Sequence, residues 1–305
     1  MKPEAGIYSF DKNCFSEEPD MKVFVVSKNT LIYCGIALLA LIAAIIVAAA
    51  SSGEGAKERE DASRLATPSP VSASGRYAVE EYELEVLAGL MKELPVYSVS
   101  REDKRIALTI DAAWEDDKTP FILETLDRFG IKATFFLCGF WVRDYPDMVQ
   151  AIAQKGHEIG NHSMTHPHMN KLSSAQIRSE LSEFEALISG VIGHGTKLFR
   201  VPYGEYNDNV IKTLRESGYE VVQWNIDTVD WKSERSAQSI LDSVLSKLKD
   251  GSIILSHNNG YKIEQYLPTL IETALAQGYE FVTVSELLLE GNTLIDVNGV
   301  QKSVN

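Results

Sequence analysis

The sequence predicts an α/β fold, a small and incomplete (β/α) barrel. Two observations carry this. From Arg105 to Leu289 short apolar runs alternate with amphipathic stretches, strand then helix, and such repetition produces parallel strands covered by helices. The apolar runs also end in polar groups: Asp111, His162 with His166, Arg200, Asp227 to Trp231, and His257. In a parallel sheet those ends all lie along one edge, where barrel enzymes build their sites.

In order, Ile106–Asp111 reads as the first strand. Pro120–Phe129 reads as a helix, with Thr119 as N-cap, Pro120 at its first position and Gly130 as its stop. Ala133–Leu137 is a strand, 144–155 a helix, and His157–Gly160 a strand leading into the histidines. Ser173–Ser189 is an amphipathic helix presenting Leu181, Phe184, Leu187 and Ile188. Strands over Lys197–Arg200, Glu220–Trp224, Ser252–Ser256 and Glu280–Val284 alternate with helices over Asp208–Ser217, Ser236–Lys249 and Glu264–Gln277. A short helix over Ser285–Leu289 follows.

Residues 1–30 read as a tail of mixed charge. Residues 31–50 hold no charged side chain, a run long enough to cross a bilayer as a helix. An uncleaved anchor is the expectation; a cleaved signal peptide would have a shorter apolar region, although the small residues Ala48–Ser52 leave cleavage open. Lys12, Lys22 and Lys28 before the segment balance Lys57, Arg59 and Arg64 after it, so charge assigns no orientation. Residues 51–77 are a linker and 78–102 a helical lead-in. The domain proper is expected over 103–290, and 291–305 as a polar, peripheral tail. With 305 residues and 45% hydrophobic content there is room for one large core. The net charge of −14 argues against nucleic acid as a partner. The three cysteines, Cys14, Cys34 and Cys138, lie in unlike contexts and suggest neither a disulfide framework nor a metal site. Nothing in the chain specifies an oligomeric state.

His162 and His166, four residues apart, are placed to share a divalent ion if they lie on one helical turn. Taken with the other clusters, Thr109-Ile-Asp-Ala-Ala-Trp114, His162-Ser-Met-Thr-His166, Arg200-Val-Pro-Tyr-Gly204, Asp230-Trp231 and Leu255-Ser-His257, the region from about 103 to 289 resembles the polysaccharide deacetylases, carbohydrate esterase family 4 or the NodB-homology domain. The resemblance implies a distorted (β/α) barrel that removes acetyl groups from polymers such as chitin, xylan or peptidoglycan. It implies Asp111 as general base and His162 and His166 as metal ligands. Arg200 would belong to the network around the base, and the Tyr203 N–H would face the oxyanion. Asp230 would tune a general-acid His257, while Trp231 and Leu255 would wall the acetyl pocket. The family's first motif is Thr-Phe-Asp-Asp-Gly, and its second Asp, a metal ligand, is Ala112 here. The acids Glu115, Asp116 and Asp117 follow as potential substitutes. The wording Asp-Ala-Ala-Trp is similar to a sporulation-type variant and points to peptidoglycan.

The expected cofactor is therefore a divalent metal, zinc first, with cobalt, nickel or manganese as the other candidates. The expected partner is a cell-wall polysaccharide, with the catalytic domain outside the cell on a single-pass anchor over 31–50. Ala112 keeps a second reading alive, that of a catalytically weak glycan-binding relative. A cyclic-amide or O-acetyl hydrolase on the same fold is a third.

Overall fold

The structure, a computed structural model, describes residues 93–304. The tail, the apolar segment 31–50, the linker and the part of the lead-in before 93 lie outside the described residues. Among the described residues no helix is long and apolar enough to cross a membrane.

The strands are β1 (Ser98–Val99), β2 (Arg105–Ala112), β3 (Thr134–Leu137), β4 (Glu158–Asn161), β5 (Leu198–Phe199), β6 (Glu220–Val221), β7 (Ile226–Asp227), β8 (Ile253–His257), β9 (Glu280–Phe281), β10 (Thr293–Ile295) and β11 (Val300–Ser303). The helices are α1 (Thr119–Phe129), α2 (Gly139–Asp144), α3 (Pro146–Gln154), α4 (Ser174–Ile192), α5 (Asp208–Glu216), α6 (Ala237–Leu245), α7 (Ile263–Ala276) and α8 (Val284–Leu287). The main sheet runs β6-β5-β4-β3-β2-β8-β7, with β9 also on β2. Every pairing in it is parallel. The path is open between β6 and β7, so the molecule is a parallel α/β half-barrel.

β2 is the central strand because it is buried on both faces, as its nearly unbroken apolar run requires. Ile106, Leu108, Ile110 and Ala112 pack toward the helices, while Ala107 faces the cluster formed with Phe136 and Val222. Thr109 and Asp111 alternate with the helix-side set and so point to the concave face. Register places Asp111 beside Phe136 of β3 and His257 of β8. Helix ends follow their local chemistry. Ser173 and Gln176 form a capping box at α4, and Gly130 closes α1 in the left-handed conformation.

Several elements differ from the sequence expectation. The helix expected over 144–155 is α3, Pro146–Gln154, and a short helix the sequence reading did not expect, α2, precedes it; Pro146 separates the two by driving Tyr145 out of the helical region (φ −130°, ψ 51°). Thr119 is the first residue of α1, and Lys118 is its N-cap. Ile177 takes the buried face of α4 together with Leu181, Phe184 and Ile188, while Leu187 is only partly buried. The strand expected over 220–224 stops at Val221. The chain then crosses to the far edge of the sheet and pairs there as β7, and the Gln223 N–H is taken by Val96. The described part of the lead-in, 93–102, is extended. Its β1 pairs in parallel with β11, and β10 pairs antiparallel with β11. The described part of the stretch 291–305, residues 291–304, is thus no peripheral tail. It forms a small second sheet with β1, and Gln301 is buried there against Leu289.

His157, at the closed end of the sheet, accepts from the Ala133 N–H through Nδ1, while its buried Nε2 has no partner. Burial, reinforced by the Lys132 charge, lowers its pKa to about 4. The unfolded chain, with a pKa near 6.5, binds this proton first, so stability is complete above about pH 6.5 and falls as pH drops toward 4. Unfolding free energies at pH 7 and 4 should differ by about 3 kcal/mol from this group. Chemical denaturation of a His157→Gln variant should show a correspondingly smaller pH slope; an unchanged slope would refute the assignment.

Candidate active site

The C-terminal ends of β2, β4, β5, β7 and β8 surround a cavity of about 470 Å³. It is lined by Asp111, His162, His166, Tyr203, Trp231, Leu255 and His257, with Trp114, Trp224 and Asp227 among the rest of its wall. Arg200 and Asp230 lie behind it, both fully buried. A larger cleft of about 710 Å³, by Glu93, Arg215 and Leu294, is poorer in chemistry, and its Arg215 is already paired with Glu93.

Arg200 is the organising residue. Its Nη1 donates to Asp111 Oδ1 and to Thr109 Oγ1, each at 2.7 Å, and its Nη2 donates to the Gln223 carbonyl at 3.1 Å. Thr109 in turn donates to the Ile254 carbonyl at 2.6 Å. The guanidinium lies over the Phe136 ring, 4.1 Å from its centroid. Burial pushes the Asp111 carboxyl up. The Arg200 charge, then His162 and His257, and the Arg200 hydrogen bond outweigh it and hold the pKa below the ordinary carboxylate value. Asp111 is thus kept ionised inside the protein.

The two histidines are not on a helical turn. They sit in the loop after β4, which reverses through positive φ at Ser163 (68°) and His166 (57°). Hydrogen bonds hold this strained shape: Ser163 N–H to Asn161 Oδ1, His166 N–H to Ser163 Oγ, and Thr165 to the Glu180 carboxylate. Gly139 lets α2 press on the loop, since a Cβ there would lie 2.2 Å from Met164 Sδ. The ring centroids of His162 and His166 are 5.0 Å apart. His162 Nδ1 lies 2.8 Å from the Arg200 carbonyl. A carbonyl only accepts, so Nδ1 carries the proton and Nε2 keeps its lone pair, 3.5 Å from Asp111 Oδ2. His166 Nδ1 is buried without a partner. Burial lowers both pKa values, that of His166 to about 3, with the neighbouring imidazole contributing.

Two neutral imidazoles and an orphaned ring nitrogen fit a divalent cation. The third donor that could join them is Cys138: its Sγ and the two ring nitrogens lie within 4.8 Å of one another. The sequence reading gave Cys138 no metal role. Glu115, Asp116 and Asp117 belong neither to this donor group nor to the cavity wall. The Glu115 carbonyl instead accepts from Trp141 and Asn258, which pins that turn.

Opposite the histidine pair, His257 Nδ1 is 2.7 Å from Asp230 Oδ1. Asp230 Oδ2 accepts from the His257 N–H and the Tyr266 hydroxyl, so the carboxylate is fully engaged. Gly260 permits this, because a Cβ there would lie 2.2 Å from Asp230 Oδ2. Burial lowers the His257 pKa, but Asp230, through hydrogen bond and charge, with Asp111 and Asp227, raises it above the ordinary imidazole value. Asp227 itself caps the turn by accepting from the Val229 N–H. Trp114, Tyr203 and Trp231 are about half exposed at the rim. The Tyr203 ring packs edge-on to His166 and stacks on His168, and its backbone is left-handed (φ 59°). Sequence reasoning missed Thr109, Gln223 and Tyr266. Tyr266 repeats with Ile263, Leu267 and Leu270 on the buried face of α7, and so reads as ordinary core.

The arrangement sets a carboxylate kept charged beside an imidazole whose pKa is raised, the two side by side in one wall of a small cavity. Such a pair can take a proton from one reactant and give one to another. A family model described as polysaccharide deacetylase matches residues 98–222. A peptidoglycan-N-acetylglucosamine deacetylase of Bacillus cereus is 35% identical over 197 residues, covering 63% of this chain and 92% of that protein. The peptidoglycan-N-acetylglucosamine deacetylase PgdA of Listeria monocytogenes is 35% identical over 195 residues. That match covers 64% of this chain but only 41% of the relative's length. Among solved structures, BA3943, a CE4-family pseudoenzyme from Bacillus anthracis, superposes with a TM-score of 0.61 at 34% identity, over 63% of this chain and 68% of that one.

Replacing Arg200 with Met would leave Asp111 buried and unpaired, at a cost of about 3–5 kcal/mol in unfolding free energy. Adding Asp111→Asn should recover much of that loss. Urea denaturation of the single and double variants measures this, and equal losses in both would refute the pairing as the source.

Proposed function

The chain belongs to the polysaccharide deacetylase family, and on that premise we propose that it hydrolyses N-acetyl groups of cell-wall glycan, with peptidoglycan as the first substrate class. The observation that carries this reading is the placement of ionised Asp111 and of His257, its pKa raised by Asp230, side by side in the wall of one cavity. Asp111 takes the proton of the attacking water, held charged and oriented by Arg200. His257, fixed through Nδ1 by Asp230, presents Nε2 to the leaving amine and donates its proton there. Leu255 and Trp231 enclose the acetyl methyl, and the Tyr203 N–H faces the developing oxyanion. His162 and His166 would hold a divalent ion, zinc for preference, which supplies Lewis-acid polarisation of the acetyl carbonyl. The similarity to deacetylases named for peptidoglycan N-acetylglucosamine supports this substrate class.

Ala112, where the family carries a ligand carboxylate, and the similarity to a pseudoenzyme favour one competing reading, a glycan-binding relative without turnover. Acetate release from purified peptidoglycan by the zinc-loaded full chain separates the two. Release is expected, falling by at least ~100-fold in Asp111→Asn and in His257→Ala. Retention on insoluble wall without acetate would establish the competitor.

The pH profile carries its own sign. Activity rises as Asp111 ionises, below the ordinary carboxylate range, and falls as His257 loses its proton, above the ordinary imidazole value of about 6.5. Asp230→Asn removes the group that raises the His257 pKa, so the alkaline limb of kcat/KM should move to lower pH. A limb that stays in place would overturn the acid assignment.

The anchor over 31–50, with the domain on the outer face of the membrane, belongs to the same proposal. Its supports are the uncharged run and a substrate that lies outside the cell. External protease should digest the C-terminal domain on intact spheroplasts; protection would place it inside and refute the orientation.

A further inference from the structure

We propose that Cys138 is the third protein ligand of the ion held by His162 and His166, taking over from the carboxylate that Ala112 lacks. The proposal rests on the metal reading above and deepens it. Cys138 follows the last residue of β3, next to the end of β2, and its N–H donates to the Ala112 carbonyl at 3.0 Å. The Cys138 backbone is therefore bonded directly to the residue where the family's ligand is missing. Its Sγ points to the histidine loop, 3.4 Å from the His162 carbonyl. Sγ and the two imidazoles lie within 4.8 Å of one another. Donors of one tetrahedral ion sit about 3.5 Å apart, given bonds of about 2.0–2.3 Å, so closure needs roughly an ångström of movement. Two further observations point to a ligand at this spot. His162 Nε2 is free because Nδ1 is spent on the Arg200 carbonyl, and His166 Nδ1 is buried without a partner.

The chemistry of the exchange is balanced. Coordination replaces the Sγ–H bond with an Sγ–metal bond and releases one proton to solvent. A thiolate would bring the same single negative charge as the aspartate it replaces, so a dication held there would have one anionic and two neutral protein donors. The substitution also narrows metal choice, since a soft sulfur donor favours zinc or cobalt over magnesium or manganese. The competing role for Cys138 is simple packing, for it is fully buried beside Trp141 and Ala113 in the helix-side core.

Cobalt spectroscopy separates these roles without reference to turnover. The full chain, carrying Cys14→Ser and Cys34→Ser so that Cys138 is the sole sulfur of its type, is stripped with chelator and titrated with Co(II). The expected spectrum has a near-ultraviolet thiolate-to-cobalt charge-transfer band together with the visible bands of a tetrahedral site. The band should vanish in Cys138→Ser and in His162→Ala. Zinc affinity in Cys138→Ser should fall by more than the roughly 10- to 100-fold that loss of an outer-shell partner costs. Cys138→Ala, which keeps a small apolar side chain in the core, guards against a serine that fails to fold. The parent spectrum decides by itself if both variants are unstable. Cobalt bound with visible bands that need His162, but with no charge-transfer band, would overturn the thiolate ligand and leave the histidine site standing. No cobalt bound at all would overturn both.

Discussion

The buried pair of Arg200 and Asp111 is the interaction on which the rest of the site depends. A guanidinium with no exposed surface needs partners for its charge, and Arg200 directs Nη1 to Asp111 and Thr109 and Nη2 to the Gln223 carbonyl, leaving only Nε without one. In doing so it fixes the carboxylate from one side and ties β2 to the segment that crosses between β6 and β7. Its backbone carbonyl does a second task by holding His162 in the tautomer that frees Nε2. One residue thus sets the charge state of Asp111 and the tautomer of His162. A buried ion pair of this kind adds little net stability, so its retention is best understood through the site it arranges.

The parallel sheet explains why so few residues suffice. Each strand ends on the same edge, and alternation selects which residue at the end faces the cavity. Asp111 and His257 are direct neighbours in the β2–β8 register, so the two residues are separated by one strand spacing and differ in their partners. Arg200 draws one pKa down, and Asp230 draws the other up. β3 runs beside β2, so Ala112 pairs with Leu137 and its carbonyl accepts from the N–H of Cys138, the next residue.

Much of this was legible in the sequence, for reasons that can be stated residue by residue. The half-barrel followed from apolar runs such as Ile106 to Ile110, which no single-faced strand would carry, and the site followed from the polar residues that end them. What was not legible depended on partners distant in sequence. Cys138 sits in Phe135-Phe-Leu-Cys-Gly-Phe140 and reads as one more apolar residue until β2 is laid beside it. The spacing of His162 and His166 suggested a helical turn, but the loop's positive-φ residues achieve the same convergence by another route. The C-terminal sheet was missed because β10 and β11 are short and largely polar, and their partner β1 lies some 200 residues away in the chain.

The most direct test of a prearranged base, acid and ligand is nitrogen-15 NMR of the full chain with labelled histidine, recorded near neutral pH without metal. His162 should appear as a neutral ring protonated on Nδ1, and His257 as an imidazolium whose pKa lies above 6.5 and falls in Asp230→Asn. A His162 protonated on Nε2, or a His257 whose pKa is not raised above the ordinary imidazole value, would contradict the arrangement on which the catalytic reading stands.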